Sequence, residues 1–118
     1  QMTERGEHVR QGEIWQAELD PVRGHEQGGT RPVLVVSTNG FNGMRAELVA
    51  IAPLSRTIRT IRSHVLIEPP EGGLTASSDV LCEQLRVISQ ERLTQLRGQV
   101  SEATLARVLN RIRPIFGF

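Results

Sequence analysis

The segment from Asp20 to Pro32, DPVRGHEQGGTRP, carries a density of chemically able side chains that no other part of the sequence matches. His25 could exchange a proton near neutral pH, and Glu26 could accept one. Gln27 could both donate and accept hydrogen bonds at a base edge. We therefore interpret this segment as a functional loop that could transfer protons and recognise a polar ligand.

Arg31 stands near the end of this loop and carries a permanent positive charge that suits a phosphate. Pro32 favours an extended backbone at the residue before it and would fix Arg31 at the mouth of the next strand. Gly24, Gly28 and Gly29 allow backbone conformations closed to other residues and would let a ligand approach the main chain. The same composition also fits a flexible glycine-rich hairpin whose polar groups are simply solvated.

The 118 residues are enough for one domain with a real core. We expect a flexible N-terminal tail at residues 1–9 and a single domain at residues 10–118. The formal net charge of +1 is too small to indicate nucleic-acid binding by bulk electrostatics, so such a role needs local patches. All 14 basic residues are arginine, and Arg56, Arg59 and Arg62 make one segment locally positive. A polyanion could use that segment.

The single cysteine, Cys82, leaves no partner for an intramolecular disulfide or a cysteine-based metal cluster, and we interpret it as a small buried hydrophobe. No apolar run approaches the roughly 18 residues of a membrane span, and the N-terminus lacks the apolar centre of a signal peptide. We therefore expect a cytoplasmic protein with no membrane contact. Neither a dinucleotide fingerprint nor a Walker loop occurs, and the sequence predicts no cofactor and no metal.

Apolar runs between turn signals predict a series of short β-strands. In the first run Trp15, Ala17 and Leu19 lie on one side, and we expect Trp15 in the core. The predicted strands are Glu13–Leu19, Val33–Val36, Glu47–Ala52, His64–Ile67, Val80–Cys82, Leu85–Ile88 and Leu93–Gln99.

Turn residues predict how these strands are connected. Two Asn-Gly pairs between Thr38 and Gly43 favour a loop in which Phe41 turns inward. Pro53 cannot donate to a central ladder and is predicted to end the third strand. The polar content of residues 56–63 favours an exposed loop.

The C-terminal segment predicts one amphipathic helix. Ser101 offers an N-cap, Glu102 suits the first turn, and apolar residues follow at helical spacing until Pro114. Phe116 and Phe118 extend its apolar end, which favours dimerisation through this region. A closing helix after several short strands predicts a mainly β (α+β) fold, a small, bent antiparallel sheet or partly open barrel.

Two motifs in a fixed order resemble a known family. The first, GHEQGGTRP, follows the strand segment EIWQAELDP, and the second, LCEQLRVI, lies later in the chain. Together, over residues 10–115, they resemble the MazF/PemK family of toxin endoribonucleases from bacterial toxin-antitoxin systems. The resemblance implies an SH3-like barrel shared with the CcdB toxins, a homodimer, and metal-independent cleavage of single-stranded RNA at a short sequence. It also implies a MazE-like antitoxin that occupies the RNA groove.

In this family the Arg of the Arg-Pro motif and a Thr after the third strand carry the chemistry, which the resemblance places on Arg31 and Ser55. RNA supplies its own nucleophile, the 2′-hydroxyl, so the enzyme must align that oxygen, remove its proton and stabilise extra negative charge. Arg31 suits the last task, and Ser55 would hold the scissile phosphate. The general base stays open between His25 and Glu26. The expected products are a 2′,3′-cyclic phosphate and a 5′-hydroxyl.

The remaining site residues are predicted to bind RNA. Gln27 and Gln84 could read an unstacked base, although Gln84 could also be a buried amide that bridges strands. Arg86 could contact the RNA backbone, and the three arginines of residues 56–62 could hold flanking phosphates. The predicted RNA-binding residues are Gln27, Gly28, Pro32, Arg56, Arg59, Arg62, Gln84 and Arg86.

Two other functions fit the same residues. A CcdB-like toxin would bind a protein target such as gyrase through the barrel and would need no catalytic Arg31. A non-enzymatic barrel would bind RNA or a regulatory partner, with Arg31 as a phosphate contact only. His8 and His64 are expected at the surface or at strand ends.

Overall fold

The computed structural model describes residues 9–20 and 24–118. The strands are β1 (Glu13–Glu18), β2 (Thr30–Val35), β3 (Leu48–Ser55), β4 (His64–Ile67), β5 (Ser78–Leu81), β6 (Arg86–Ser89) and β7 (Leu93–Gln99). The α-helices are α1 (Asn39–Asn42) and α2 (Glu102–Phe116), and the 3-10 turns are Glu71–Gly73, Cys82–Gln84 and Gln90–Arg92. Of the predicted N-terminal tail only Val9 is described, and it is buried. His8 lies outside the described residues.

All strand pairs are antiparallel, and they build one sheet in the order β4-β5-β3-β2-β1-β7, with β6 also paired to β3. No ladder joins β6 to β7 in the described part of the chain. The path β7-β1-β2-β3-β6 therefore bends into a barrel that stays open on one side. The predicted fold, a mainly β, partly open barrel with a C-terminal helix, is confirmed.

Two apolar clusters lie on the two faces of this sheet. Side chains alternate along a strand, so Leu34 enters one cluster while its neighbour Val33 enters the other. Val108 and Ile112 of α2 belong to the first cluster, so the helix covers that face. The second cluster lies inside the bent path and includes Trp15, whose predicted core position is confirmed.

The predicted strands all have a counterpart in the structure, and His64–Ile67 and Leu93–Gln99 have the predicted bounds. The second strand begins earlier than predicted, at Thr30. Its ladder with β1 continues to the pair of Thr30 with Glu18, and this pairing extends the strand beyond its apolar run. The site residue Arg31 therefore lies within a strand rather than before it.

Pro53 lies inside β3, so the predicted strand end is wrong. It faces Val33 of β2 in register. On the other side of β3, the ladder with β6 stops at Ile51 and the ladder with β5 starts at Leu54. Pro53 occupies the gap between these two neighbours, where its missing N–H breaks no ladder. The strand continues through the gap to Ser55.

The predicted loop Thr38–Gly43 contains the four-residue helix α1. The Thr38 side chain caps it by accepting a hydrogen bond from the N–H of Phe41 at 3.3 Å. Phe41 is 37% exposed, so its predicted inward position is wrong, and Asn42 is buried instead. The Asn42 amide donates to the carbonyl of Ser37 at 3.1 Å, which offsets the cost of burying it.

Ser101 caps α2 as predicted, because its Oγ accepts a hydrogen bond from the first turn. The helix runs to Phe116, so the predicted end near Pro114 is wrong. The last turn persists beyond the proline because Gly117, in the left-handed conformation, donates its N–H to the carbonyl of Arg113 at 2.8 Å. Among the described residues, no helix is long and apolar enough to span a membrane.

Glycines allow the turn before β5 to touch strand β7. A Cβ on Gly98 would lie 2.5 Å from the carbonyl carbon of Gly72 and 2.7 Å from the nitrogen of Gly73. These neighbours are backbone atoms of a turn and cannot rotate aside as a side chain would. Gly98 is thus required by a close approach of two backbone segments.

We expect Gly98→Ala to lower the free energy of unfolding by roughly 1–3 kcal/mol, the usual cost of overpacking. Chemical denaturation measures this change. Gly40→Ala is the matched control, because a Cβ at Gly40 meets nothing within 4 Å. Equal stability of the two variants would contradict the close approach.

Candidate active site

An open groove of about 760 Å³ is lined by the glycine-rich loop, by the segment after β3 and by the ends of several strands. Most of the predicted site residues meet there. Those that line it are His25, Gln27, Arg31, Pro32, Ser55, Arg56, Arg59 and Gln84.

Arg31 is half-buried and lies opposite Ala17 in the ladder of β1 with β2. Its Nε donates a hydrogen bond to the carbonyl of Gly28 at 2.9 Å, and its Nη1 donates to the carbonyl of Leu54 at 3.1 Å. Within residues 9–20 and 24–118, no carboxylate forms an ion pair with Arg31. Neutral groups therefore orient the guanidinium, and its charge stays available for an anion.

Ser55 is the last residue of β3. Because Arg31 donates a hydrogen bond to the carbonyl of the preceding residue, Leu54, Ser55 lies beside Arg31, and both residues line the groove. The Ser55 Oγ accepts a hydrogen bond from the N–H of Thr57 at 3.1 Å. Its own proton can therefore be donated to a ligand in the groove.

Gln84 connects the second motif to the glycine-rich loop. Its Oε1 accepts a hydrogen bond from the backbone N–H of Gln27 at 2.9 Å. Gln84 is half-buried and lines the groove, and it belongs to the 3-10 turn Cys82–Gln84 that separates β5 from β6. The amide therefore bridges two segments, as one of the two predicted interpretations requires, while the side chain also faces the groove.

The other loop residues divide into those at the groove and those beside it. His25 is exposed and lines the groove. Glu26 is exposed, has an interaction within the chain and is not part of the lining. Gly28 contributes the carbonyl that holds Arg31, while the ring of Pro32 lines the groove.

The four arginines that were predicted to contact RNA phosphates do not all lie in the same groove. Arg56 and Arg59 line the groove, whereas Arg62 lies with Arg111 in a neighbouring cavity of about 410 Å³. Arg86 lines neither cavity, and its Nη1 is buried without a hydrogen-bond partner in the described part of the chain.

Comparison with known proteins assigns this chain to a family. A model described as PemK-like, MazF-like toxin of type II toxin-antitoxin system matches residues 10–116. The chain belongs to this family. It is 36% identical over 105 residues to the endoribonuclease MazF9 of Mycobacterium tuberculosis, an alignment that covers 85% of this chain and 89% of the relative. The resemblance predicted from the two motifs is confirmed.

Solved structures agree with the family. MazF from Deinococcus radiodurans is 25% identical, with a TM-score of 0.82 over 93% of this chain and 97% of that one. An endoribonuclease from a mycobacterial species, solved with its cognate antitoxin, has a TM-score of 0.76 at 24% identity, over 93% of this chain and 96% of that one. The second similarity, at this identity, concerns the fold.

In this MazF-like toxin His64 and Glu83, which the sequence did not indicate as site residues, also line the groove. His64 lies at a strand end, as one of its two predicted positions requires, because it is the first residue of β4, and it is buried rather than at the surface. It contacts Asp79 and Glu83. The sequence held one indication of this cluster, which was Asp79 in the apolar strand β5. A carboxylate is rarely buried without a partner, so Asp79 required one. No sequence pattern near Asp79 indicated which side chain that partner would be.

The buried thiol of Cys82 has no part in this chemistry. Burial, and to a smaller extent the neighbouring Glu83 carboxylate, raise its pKa to about 12. A thiol with such a pKa is protonated at neutral pH and is a poor nucleophile. Its predicted role as a small buried hydrophobe is confirmed.

We expect Gln84→Met to loosen the glycine-rich loop, because it removes the acceptor for the Gln27 N–H and keeps the side-chain length. Loss of one hydrogen bond of about 1 kcal/mol corresponds to roughly fivefold faster amide hydrogen exchange at Gln27. Gln95→Met, on the exposed part of β7, is the control. Unchanged exchange at Gln27 would show that the loop is held by other contacts.

Proposed function

We propose that this toxin is a sequence-specific, metal-independent endoribonuclease that cleaves single-stranded mRNA and so inhibits translation and growth. The observation that carries the proposal is the Arg31 guanidinium, held by two backbone carbonyls beside Ser55 in an open groove. The name of the mycobacterial relative, an endoribonuclease, supports the same reaction.

The proposed reaction uses the nucleophile that RNA provides. The 2′-oxygen attacks the adjacent phosphorus, the bond from phosphorus to the 5′-oxygen breaks, and the products are a 2′,3′-cyclic phosphate and a 5′-hydroxyl. A base takes the 2′-hydroxyl proton, and an acid gives a proton to the leaving 5′-oxygen. The protein must also stabilise the charge that builds on the phosphate oxygens.

Arg31 is proposed to supply that stabilisation. Its Nη2 has no hydrogen-bond partner among the described residues, so this nitrogen can donate to a phosphate oxygen while Nε and Nη1 remain bound to the protein. A guanidinium is not deprotonated in proteins, so Arg31 does not act as the base. Ser55 is proposed to donate its hydroxyl proton to a second phosphate oxygen and to hold the scissile group.

His25 is the proposed proton carrier, because it lines the groove and a neutral imidazole has one nitrogen that accepts a proton and one that donates a proton. Glu26 is the second candidate, since a carboxylate in the same loop can accept a proton. Its position outside the groove lining makes it the weaker of the two.

The proposed RNA path follows the polar residues of the groove. Gln27 and Gln84 would contact bases, and Arg56 and Arg59 would hold flanking phosphates. The backbone of Gly28 and the ring of Pro32 would lie beside the scissile group. Arg62 lies just beyond the groove, where a longer strand would reach it, whereas Arg86 lines neither cavity and is left out of the path.

We also propose a cytoplasmic homodimer that is neutralised by a cognate antitoxin. Ile115, Phe116 and Phe118 at the end of α2 remain 42%, 43% and 73% exposed, which suits a second copy of the chain. An antitoxin segment in the groove would compete with RNA for Arg31. The family description as a toxin-antitoxin member supports such a partner.

We expect Arg31→Ala to lower the rate of RNA cleavage on the order of 100-fold or more, with the fold retained, because the transition-state charge loses its clamp. Cleavage of a long unstructured RNA in EDTA measures the rate, and end analysis detects the 5′-hydroxyl. Arg45→Ala removes an exposed arginine outside the groove lining and should cut normally. Cleavage that survives Arg31→Ala unchanged would refute the proposed role of Arg31, whereas a parent protein that cuts no RNA would favour one of the two non-enzymatic functions.

Replacing Arg56 and Arg59 together by glutamine should raise KM and leave kcat nearly unchanged, because these side chains bind flanking phosphates in ground and transition states alike. The dependence of log K on log salt should fall by roughly 0.7 for each lost phosphate contact. Arg113→Gln, on the exposed end of α2, is the control. An unchanged salt dependence would place the RNA elsewhere.

A further inference from the structure

A buried histidine sits between two carboxylates at the floor of the groove. The His64 Nδ1 lies 3.0 Å from Oδ2 of Asp79, and its Nε2 lies 3.2 Å from Oε2 of Glu83. The side chains of His64 and Asp79 are 4% and 2% exposed, and that of Glu83 is 37% exposed. We call these three residues the His64 clamp.

In the His64 clamp, Asp79 holds the segment that follows β3. Oδ2 of Asp79 also accepts a hydrogen bond from the backbone N–H of Arg59 at 2.9 Å. The next residue, Thr60, has a φ of +53°, which is strained for a β-branched side chain and persists only where neighbouring contacts impose it. The Asp79 carboxylate is such a contact. Asp79 also faces Ser55 in the ladder of β3 with β5.

Glu83, the second carboxylate of the His64 clamp, is connected through its neighbour Gln84 to the glycine-rich loop. Glu83 lies in the 3-10 turn that also carries Gln84, and Gln84 accepts the hydrogen bond from Gln27. His64 therefore joins two carboxylates whose segments hold the two walls of the groove. Movement of either carboxylate would shift one wall relative to Arg31 and Ser55.

The charges of the clamp matter as much as its contacts. Ionised carboxylates only accept hydrogen bonds, so both can be satisfied by His64 only if both ring nitrogens carry protons. An imidazolium in that position leaves the cluster with one net negative charge instead of two. This matters because Glu83 lines a groove that must receive phosphate groups.

We propose that His64 is a positioning residue for RNA cleavage: through Asp79 and Glu83 it fixes both groove walls and offsets the negative charge beside the phosphate path. This inference rests on the proposed endoribonuclease function. His64 contacts the carboxylates rather than the reacting atoms, so it acts through the placement of Ser55, Arg59 and Gln27.

The test compares His64→Gln, Asp79→Asn and the double variant in steady-state cleavage of a defined RNA. A glutamine can donate to one carboxylate at most, and Asp79→Asn replaces one of the accepting oxygens. A misplacement of about 1 Å costs on the order of 100-fold in rate, so each single variant should lose roughly 10- to 100-fold in kcat. Because both break the same bridge, the double variant should be no worse than the poorer single variant.

Val65→Ala is the matched control. It removes buried volume from the next residue of β4 without touching the clamp. Its Tm should fall by several degrees, as for the clamp variants, while its kcat stays within about twofold of the parent when all are assayed well below Tm. Normal kcat in both clamp variants, or losses that multiply in the double variant, would overturn the inference. If His64→Gln does not fold, Glu83→Gln at the exposed arm replaces it under the same criteria.

Amide NMR separates this inference from the proposed function. The amide signals of Arg59 and Gln27 should both shift in His64→Gln and stay in place in Val65→Ala. If the parent protein cuts no RNA while these shifts occur, the proposed function fails, but the placement of both groove walls by the His64 clamp is supported. If neither amide shifts, the clamp fails whatever the parent protein cuts.

Discussion

The contact on which the site depends is the fixation of one guanidinium by two uncharged acceptors. The carbonyls of Gly28 and Leu54 orient Arg31 from two different segments. A carboxylate in either position would orient it as well, but it would offset the charge that an anion needs. Backbone carbonyls carry only partial charge, so they fix the direction of the guanidinium and leave most of its positive potential facing the groove.

This arrangement requires the chain to change sheet partners at one place. Strand β3 pairs with β6 up to Ile51 and with β5 from Leu54 onward, and Pro53 lies in the gap. A proline there prevents β6 and β5 from merging into one continuous ladder, because it offers no N–H on that side. The strand end that carries Leu54 and Ser55 thus lies where the barrel opens, next to the start of β2.

Local patterns predicted much of this architecture because they act over a few residues. Apolar alternation located the strands, Ser101 located the start of α2, and the order of two motifs located the groove residues Arg31 and Gln84. Two of the errors have a common cause, because contacts with distant segments overrode a local preference. Pro53 is tolerated in a strand because of a gap between neighbours. Asn42 rather than Phe41 is buried, and its backbone carbonyl accepts a hydrogen bond from the distant Gln90 side chain.

The His64 clamp shows why part of the site was out of reach of the sequence. His64 and Asp79 come from neighbouring antiparallel strands, and Glu83 follows in a turn whose direction no short motif specifies. An aspartate in an apolar run signals that a partner exists without saying which one. Only the register of β4 with β5 decides that the partner is a histidine.

Ser55 stands where the family resemblance leads one to expect threonine, and the structure supplies a physical substitute for the missing methyl group. Threonine has a branched Cβ that restricts its χ1 angle, whereas serine rotates more freely. The N–H of Thr57 donates to the Ser55 Oγ at 3.1 Å and favours one rotamer, as the branch would have done. That bond occupies a lone pair of the oxygen and leaves its proton to be donated, so the hydroxyl is held in place without losing the role proposed for it.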